Sequence, residues 1–268
     1  MDKIFMNEVA WQNTFPNCVV PLPDEWLPGL LLRCDEANHW ESGTTLAHLL
    51  RSLGKASFQR KSGWVIVPSP VLECLAQCLA LSLGTLLVTT YHAELAHLYG
   101  TSHPHQAQLS RSELFRLCPA CIAETRLMKR ISVLPHLSVC PVHLVTFVSR
   151  CHCGKVLQLF SLQTRPFTCH ACGLDWRHLP LIPASVERFK TEQKVLSCFE
   201  FFFAYGAPHM LVHALQRIRE KLKREKIVQV RLLNGTIKQV EHYELTKASL
   251  GYLVDLLVSL DFAPSEAE

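Results

Sequence analysis

Three observations predict a mainly α protein with small β elements in its middle. Apolar residues recur at helical spacing in the first and last thirds of the chain. The first third also carries a helix-turn-helix pattern. Between them, four close pairs of cysteine and histidine follow one another from Cys118 to Cys172. These divide the 268 residues into a helical, helix-turn-helix-like part (1–108), a tandem claw region (109–179) and a helical C-terminal part with a β-hairpin (180–268).

The claw region organises the rest. It reads C-P-A-C, eighteen residues, C-P-V-H, seven residues, C-H-C, fifteen residues, C-H-A-C. The candidate ligands are Cys118, Cys121, Cys140 and His143, then Cys151, Cys153, Cys169 and Cys172. Two claws make one tetrahedral site, so eight soft ligands suit two structural Zn2+ ions in zinc-ribbon-like folds. Filled four-ligand sites leave no position for water, so these ions hold the fold and do no chemistry. Which claws share an ion is not set by spacing. His152 and His170 stand beside ligands and read as turn neighbours. Trp176 is placed to cover the second site, with Val156–Phe160 and Phe167 as short flanking strands.

Composition agrees with a folded chain, at 49% hydrophobic and 19% charged residues. A net charge of +4 permits nucleic-acid contact without demanding it. Twelve cysteines with no secretory pattern at the start suggest a reducing cytoplasm rather than a disulfide framework. Cys18, Cys34, Cys74, Cys78 and Cys198 then read as small core residues. Residues 74–91 carry no formal charge, but Gln77, Gly84 and several hydroxyl residues argue for buried helices and against a membrane span.

In chain order, Asp24 or Glu25 opens a first helix through Leu27, Leu30, Leu31 and Arg33, with Pro28 in its first turn. Thr44 and Thr45 cap a second, Leu46–Leu53, ended by Gly54. Lys55, Arg60 and Lys61 fall in a loop. Ser69 and Pro70 start a third helix. Ala80 begins a turn, Ser82 caps the next helix, and Leu83, Leu86 and Leu87 pack back. That next helix, Thr85 to about Leu98, is poor in cations, which favours packing or protein binding over base readout. Residues 101–110 form a polar linker.

Arg126, Lys129 and Arg130 lie between the first two claws and are candidate phosphate contacts, a solvated loop being the alternative. Glu187–Tyr205 reads as an apolar helix with Val195, Leu196, Phe199, Phe202 and Phe203 on its buried side. A following helix from Pro208 carries Arg217, Arg219, Lys221, Lys223 and Arg224. That is the strongest electrostatic candidate for nucleic acid, again weighed against an ordinary solvated face. Asn234-Gly235 between Ile227–Leu233 and Thr236–Val240 signals a hairpin. Thr246 opens a last helix, Leu250–Phe262.

Two features invite rival functions. His92-Ala93-Glu94 ahead of Cys118 and Cys121 has the order of a zinc deaminase site, but Leu117 stands where that motif has Pro, and Cys140 and His143 are left over. No G-x-x-x-x-G-K-[ST] is present, so ATP hydrolysis would belong to a partner. The helix-turn-helix and the basic helix would instead suit a self-sufficient, sequence-specific DNA-binding protein.

Residues 20–176 resemble the TniQ family of transposition proteins. The resemblance rests on Pro21-Leu22-Pro23-Asp24-Glu25, Arg33 and Ala37-Asn38-His39, then on Cys118-Pro119-Ala120-Cys121, Cys140-Pro141-Val142-His143 and the Cys151–Cys172 set. Departures are Leu144 where Gly is usual after the claw histidine, no Trp upstream of the second claw, and Trp26 where Ser usually follows the acid. The resemblance implies a non-enzymatic adaptor in transposition target selection. It would link a target-recognition complex on double-stranded DNA to an AAA+ ATPase that recruits the transposase. In CRISPR-associated transposons that complex is an effector with its guide RNA. Members that read their own site carry further C-terminal modules, so this chain is expected to be a partner-dependent adaptor of the bacterial cytoplasm.

Overall fold

The computed structural model describes residues 15–52, 67, 69–99, 115–134, 136–161 and 163–205, strands at 228–231 and 237–240, and positions 254 and 258. Helix α1 spans Leu27–Ala37 and buries eight of its eleven residues, including Leu27, Leu30, Leu31 and Leu32. At about 1.5–3 kcal/mol for each buried leucine, this helix is held by packing on nearly every side. It begins at Leu27 and not at Asp24, because Asp24 sits at φ +59 and Glu25 is drawn into a β-bridge with Lys129. Pro28 lies in the first turn, where its missing N–H costs nothing. At Gly29 an added Cβ would stand 2.8 Å from the Met128 Cβ, so α1 meets the claw region at backbone distance there.

Helix α2 (Thr44–Ser52) starts two residues earlier than the threonine pattern suggests. Its cap comes from α1: the buried Asp35 carboxylate accepts the Gly43 and Thr45 N–H groups, each at 2.7 Å. Helix α3 (Ser69–Leu79) turns at Ala80, φ +52, into α4 (Leu83–Leu87), capped by Ser82 through the Thr85 N–H at 3.0 Å. Leu86 is fully buried and Leu87 packs on the core, whereas Leu83 is exposed.

The expected Thr85–Leu98 helix is two helices, α4 and α5 (His92–Tyr99). The Thr89 and Thr90 hydroxyls donate back to the Leu86 and Leu87 carbonyls, at 2.7 and 2.9 Å, and end the first. The break frees the Thr89 carbonyl to accept the first N–H of α1, from Leu27, at 2.9 Å.

Helix α6 (Pro119–Thr125) begins inside the first claw, and α7 (Val186–Tyr205) follows the second metal region. The strands foreseen at Val156–Phe160 and Phe167 are not formed. Only isolated bridges stand there, Arg150 with Val156 and Thr168 with Asp175, because the claw turns leave no room for a longer ladder. The two strands of the expected hairpin are present: β1 (Val228–Arg231) and β2 (Ile237–Val240) pair antiparallel, with Val228 opposite Val240 and Arg231 opposite Ile237, while the Asn234-Gly235 turn lies outside the described residues. Val254 and Val258, within the expected last helix, are helical.

One apolar cluster runs from Phe15 through α1–α4 to Cys151, Phe167, Cys169, Trp176 and Leu179. A smaller one gathers Cys118, Cys121, Cys140, Val145 and Phe147. A short edge segment ties the first claw pair to α7. The Thr146 N–H donates to the Ile182 carbonyl and the Ala184 N–H to that of Leu144, at 2.8 and 2.9 Å. On α7, the 8% exposed Glu192 accepts the Ser138 and Val139 N–H groups at 2.6 and 2.7 Å. Around this edge Val142, Leu144, Leu181, Ile182 and Val186 are exposed. Among the described residues no helix is long and apolar enough to cross a membrane.

Candidate metal centres

The first centre is assembled by two different turns. Leu117 pairs with Val148, and Pro119 then sets the chain directly into α6. Cys118 takes the N-cap position of that helix, its sulfur 3.5 Å from the Cys121 nitrogen. The second turn is a knuckle. The Cys140 N–H donates to the Val145 carbonyl at 2.8 Å, and the Leu144 N–H to the Cys140 carbonyl at 2.9 Å. The turn requires a left-handed residue, and Leu144 takes it at φ +54.

These turns bring the Nδ1 of His143 to 3.5, 3.3 and 3.5 Å from the sulfurs of Cys118, Cys121 and Cys140. The Cys121 and Cys140 sulfurs are 3.8 Å apart. A tetrahedral ion with metal–sulfur bonds of about 2.3 Å and metal–nitrogen bonds of about 2.0 Å needs edges of roughly 3.8 and 3.5 Å. The ligand atoms therefore already stand at the corners such an ion requires. The other ring nitrogen, Nε2, faces Glu124 Oε1 at 3.0 Å, which directs Nδ1 towards the sulfurs.

The second centre uses the knuckle twice. Gly154 at φ +82 and Gly173 at φ +71 occupy the position that Leu144 takes in the first. The Cys169 and Gly173 N–H groups donate to the Leu174 and Cys169 carbonyls, both at 2.8 Å, repeating the Cys140 pattern. Cys151 and Cys172 sulfurs lie 3.6 Å apart, and those of Cys153 and Cys169 3.8 Å. In each set of four, every ligand atom is within 4.8 Å of the others. A disulfide would need about 2.05 Å, and all twelve cysteines are free.

The claws thus pair in sequence order, first with second and third with fourth, and neither His152 nor His170 is in a set. Both sets can hold a metal ion. Their electrostatics favour one thiolate in each set, Cys140 and Cys169, whereas the hydrogen bond with Cys118 pushes the Cys121 thiol up and burial pushes the Cys151 thiol up. Hydrogen bonds from Cys118 and Cys121 hold the Cys140 thiol well below its ordinary value. Burial raises the Cys169 thiol, but the Ala171 and Cys172 N–H groups more than offset it, leaving a value of about 7. Trp176, 1% exposed, packs edge-on against Phe167 and belongs to the same core cluster as Cys151 and Cys169.

The loop cations have partners inside the chain. Arg126 binds Asp175 at 2.8 Å and Glu36 at 2.9 Å, with its guanidinium 5.2 Å from the Phe167 ring centre. Arg130 binds Glu94 at 2.8 Å and the Thr90 carbonyl, and stands 4.7 Å over the Tyr91 ring. Lys129 is half-buried, its backbone bridged to Glu25. Arg217, Arg219, Lys221, Lys223 and Arg224 lie outside the described residues. Glu94 is thus engaged by Arg130, while Cys118 and Cys121 gather with Cys140 and His143, not with His92.

Sequence reasoning missed Glu124, Asp175, Glu192 and Asp35. Glu124 had a local signal, standing one helical turn beyond Cys121 on the claw helix. Asp175 and Glu192 act on groups about fifty residues away, and nothing local marks them.

No curated protein matches the chain. Residues 16–146, from the lead-in through α1–α6 and the whole first centre, match the family model described as TniQ. The match covers just under half of the chain, makes it similar to the TniQ family of transposition proteins, and supports a transposition-related role in target selection.

Proposed function

We propose that the chain is an adaptor in transposition target selection, joining a target-recognition complex on double-stranded DNA to an AAA+ ATPase that recruits the transposase. The observation that carries this reading is the TniQ domain at residues 16–146, whose α1–α4 helices share one core with residues of the second metal centre. Two structural Zn2+ ions fit the sulfur and imidazole donors and their spacing. The three parts, 1–108, 109–179 and 180–268, then serve as a helical docking part, a metal-pinned core and a helical C-terminal part. The chain binds and positions, and ATP hydrolysis falls to the partner. The recogniser is an RNA-guided CRISPR effector or a similar complex, and the setting is the bacterial cytoplasm.

A partner-dependent role is favoured over independent base reading by the second helix of the turn motif. Helix α4 has five residues, Leu-Gly-Thr-Leu-Leu, and offers no cation or amide side chain to a base edge. The test is a pull-down of the zinc-loaded protein against the AAA+ ATPase of its own element, with and without ATP and duplex DNA. Retention that depends on nucleotide and DNA is expected. No association, combined with tight sequence-specific DNA binding by the chain alone, would replace the adaptor with a self-sufficient DNA reader.

A further inference from the structure

We propose that the rim of the second metal centre is a contact surface for the phosphate backbone of nucleic acid. Between Ser149 and His178 the chain carries Arg150, Lys155, Arg165 and Arg177, and a single acid, Asp175. All four cations are exposed, and Arg177 is already paired with Asp175 at 2.9 Å. Arg150 and Lys155 flank the knuckle of Cys151 and Cys153, while Arg165 and Arg177 flank that of Cys169 and Cys172. Lys155 and Arg165 have no ion-pair partner among the described residues.

The neighbouring acids are already engaged. Asp175 and Glu36 both bind Arg126, and Glu41 accepts the Gln163 N–H at 3.2 Å. Burial would raise the Asp175 carboxyl, but Arg126 and Arg177 hold it well below the usual carboxylate range, so it stays a fixed partner within the fold.

A cleft of about 550 Å³ opens beside this rim, lined by Trp40, Arg126, Arg165 and Arg177 and by the two carboxylates Glu36 and Asp175 that pair with Arg126. Trp40 is half-buried, seated edge-on against Phe15 with ring centres 5.2 Å apart, so a flat apolar wall is fixed next to two exposed guanidinium groups. Around Gly173 nothing lies within 4 Å of an added Cβ, so that part of the surface is open. Exposed cations bordering an aromatic wall suit a phosphodiester strand. The Arg126–Arg130 loop, by contrast, has turned its guanidinium groups inward.

The surface deepens the reading of the chain as a component of DNA-bound assemblies and rests on it, but its test needs neither the ATPase nor the recogniser. The full-length, zinc-loaded protein is titrated by fluorescence anisotropy into a labelled duplex DNA of arbitrary sequence, a duplex RNA and a single strand. Titrations are run from 50 to 200 mM salt. Three phosphate contacts, from Arg150, Lys155 and Arg165, give a log–log salt slope of about −2.7 on duplex DNA, a fall of roughly 40-fold over that range.

The Lys155→Gln/Arg165→Gln double variant is expected to keep two zinc ions, to flatten the slope by about 2, and to weaken binding at 50 mM roughly tenfold. A variant neutralised at Arg217, Arg219, Lys221, Lys223 and Arg224 is expected to retain the rim's contribution. Equal effects on duplex DNA and RNA would support a backbone surface, and a larger effect on one would identify the source of the phosphates.

Four results would overturn the proposal. The wild-type chain could fail to bind at 50 mM salt, or the slope could be unchanged in the double variant. The variant could hold zinc less tightly while binding nucleic acid normally, which would make the cations mere offsets for thiolate charge. It could also lose the ATPase while binding nucleic acid normally, which would make the rim a protein surface and leave the adaptor reading standing.

Discussion

The two metal centres answer the same coordination problem with different enclosures. In the first, Cys118, Cys121 and Cys140 are at most 3% exposed, and the turns are clamped between α6 and the segment leading into α7. In the second, Cys153 and Cys172 are exposed, while Cys151 and Cys169 reach into the main core. The first centre is closed but stands in its own small cluster. The second is open to solvent yet shares the core that holds α1–α4. Enclosure and structural reach are therefore separate properties here, and they divide between the two sites.

The largest effect should come from deleting a ligand. Cys140→Ser is expected to leave one zinc per chain and to unfold the 118–148 region, since metal binding supplies on the order of 10 kcal/mol to such sites. Cys172→Ser should also lose one zinc, but with a smaller loss of helical signal, because its ligand lies at the solvent edge. Metal content by mass spectrometry and thermal circular dichroism would read both, and indistinguishable melts would break the comparison.

Trp176→Ala should cost about 3–5 kcal/mol in chemical denaturation, because it empties a fully covered position where the second centre meets the core. Glu124→Ala should lower metal affinity at the first centre about 10- to 100-fold in chelator competition and leave the second unchanged. Glu124→Gln, which keeps an acceptor for Nε2, should retain most of it; equal losses in both variants would remove the orienting role. Smallest, Leu144→Gly should raise stability by about 1 kcal/mol, by giving the knuckle the residue that Gly154 and Gly173 already supply at the equivalent turns. A fall in melting temperature would mean that the leucine side chain contributes more than its backbone costs.

The eight candidate ligand residues were legible in the sequence because spacing within a claw is a local signal, as was the Ser82 cap, but the pairing of claws was not, because it depends on how separate turns meet. The Gly that the resemblance leads one to expect after the claw histidine would have its physical reason in the left-handed turn at Leu144. What escaped was whatever depends on distant groups. Asp35 caps a helix that begins nine residues later, and no threonine pattern at its start reveals this. The break between α4 and α5 looked like continuous helix, because its cause is a pair of threonine hydroxyls turning back on the chain. Arg126 and Arg130 read as free loop cations until Asp175, Glu36 and Glu94 came into place around them.

Pro183 has a consequence for how the molecule behaves at high concentration. It stands between Ile182 and Ala184, whose backbone groups face the knuckle, so its own backbone faces outward. There it has no N–H to offer an incoming strand. Leu181, Ile182, Val186, Val142 and Leu144 make this the stickiest margin of the described surface. An open hydrogen-bonding edge beside them would template self-association. With proline at that position, chains that meet here can touch through side chains but cannot extend one another's sheet, which keeps a greasy margin from seeding aggregates.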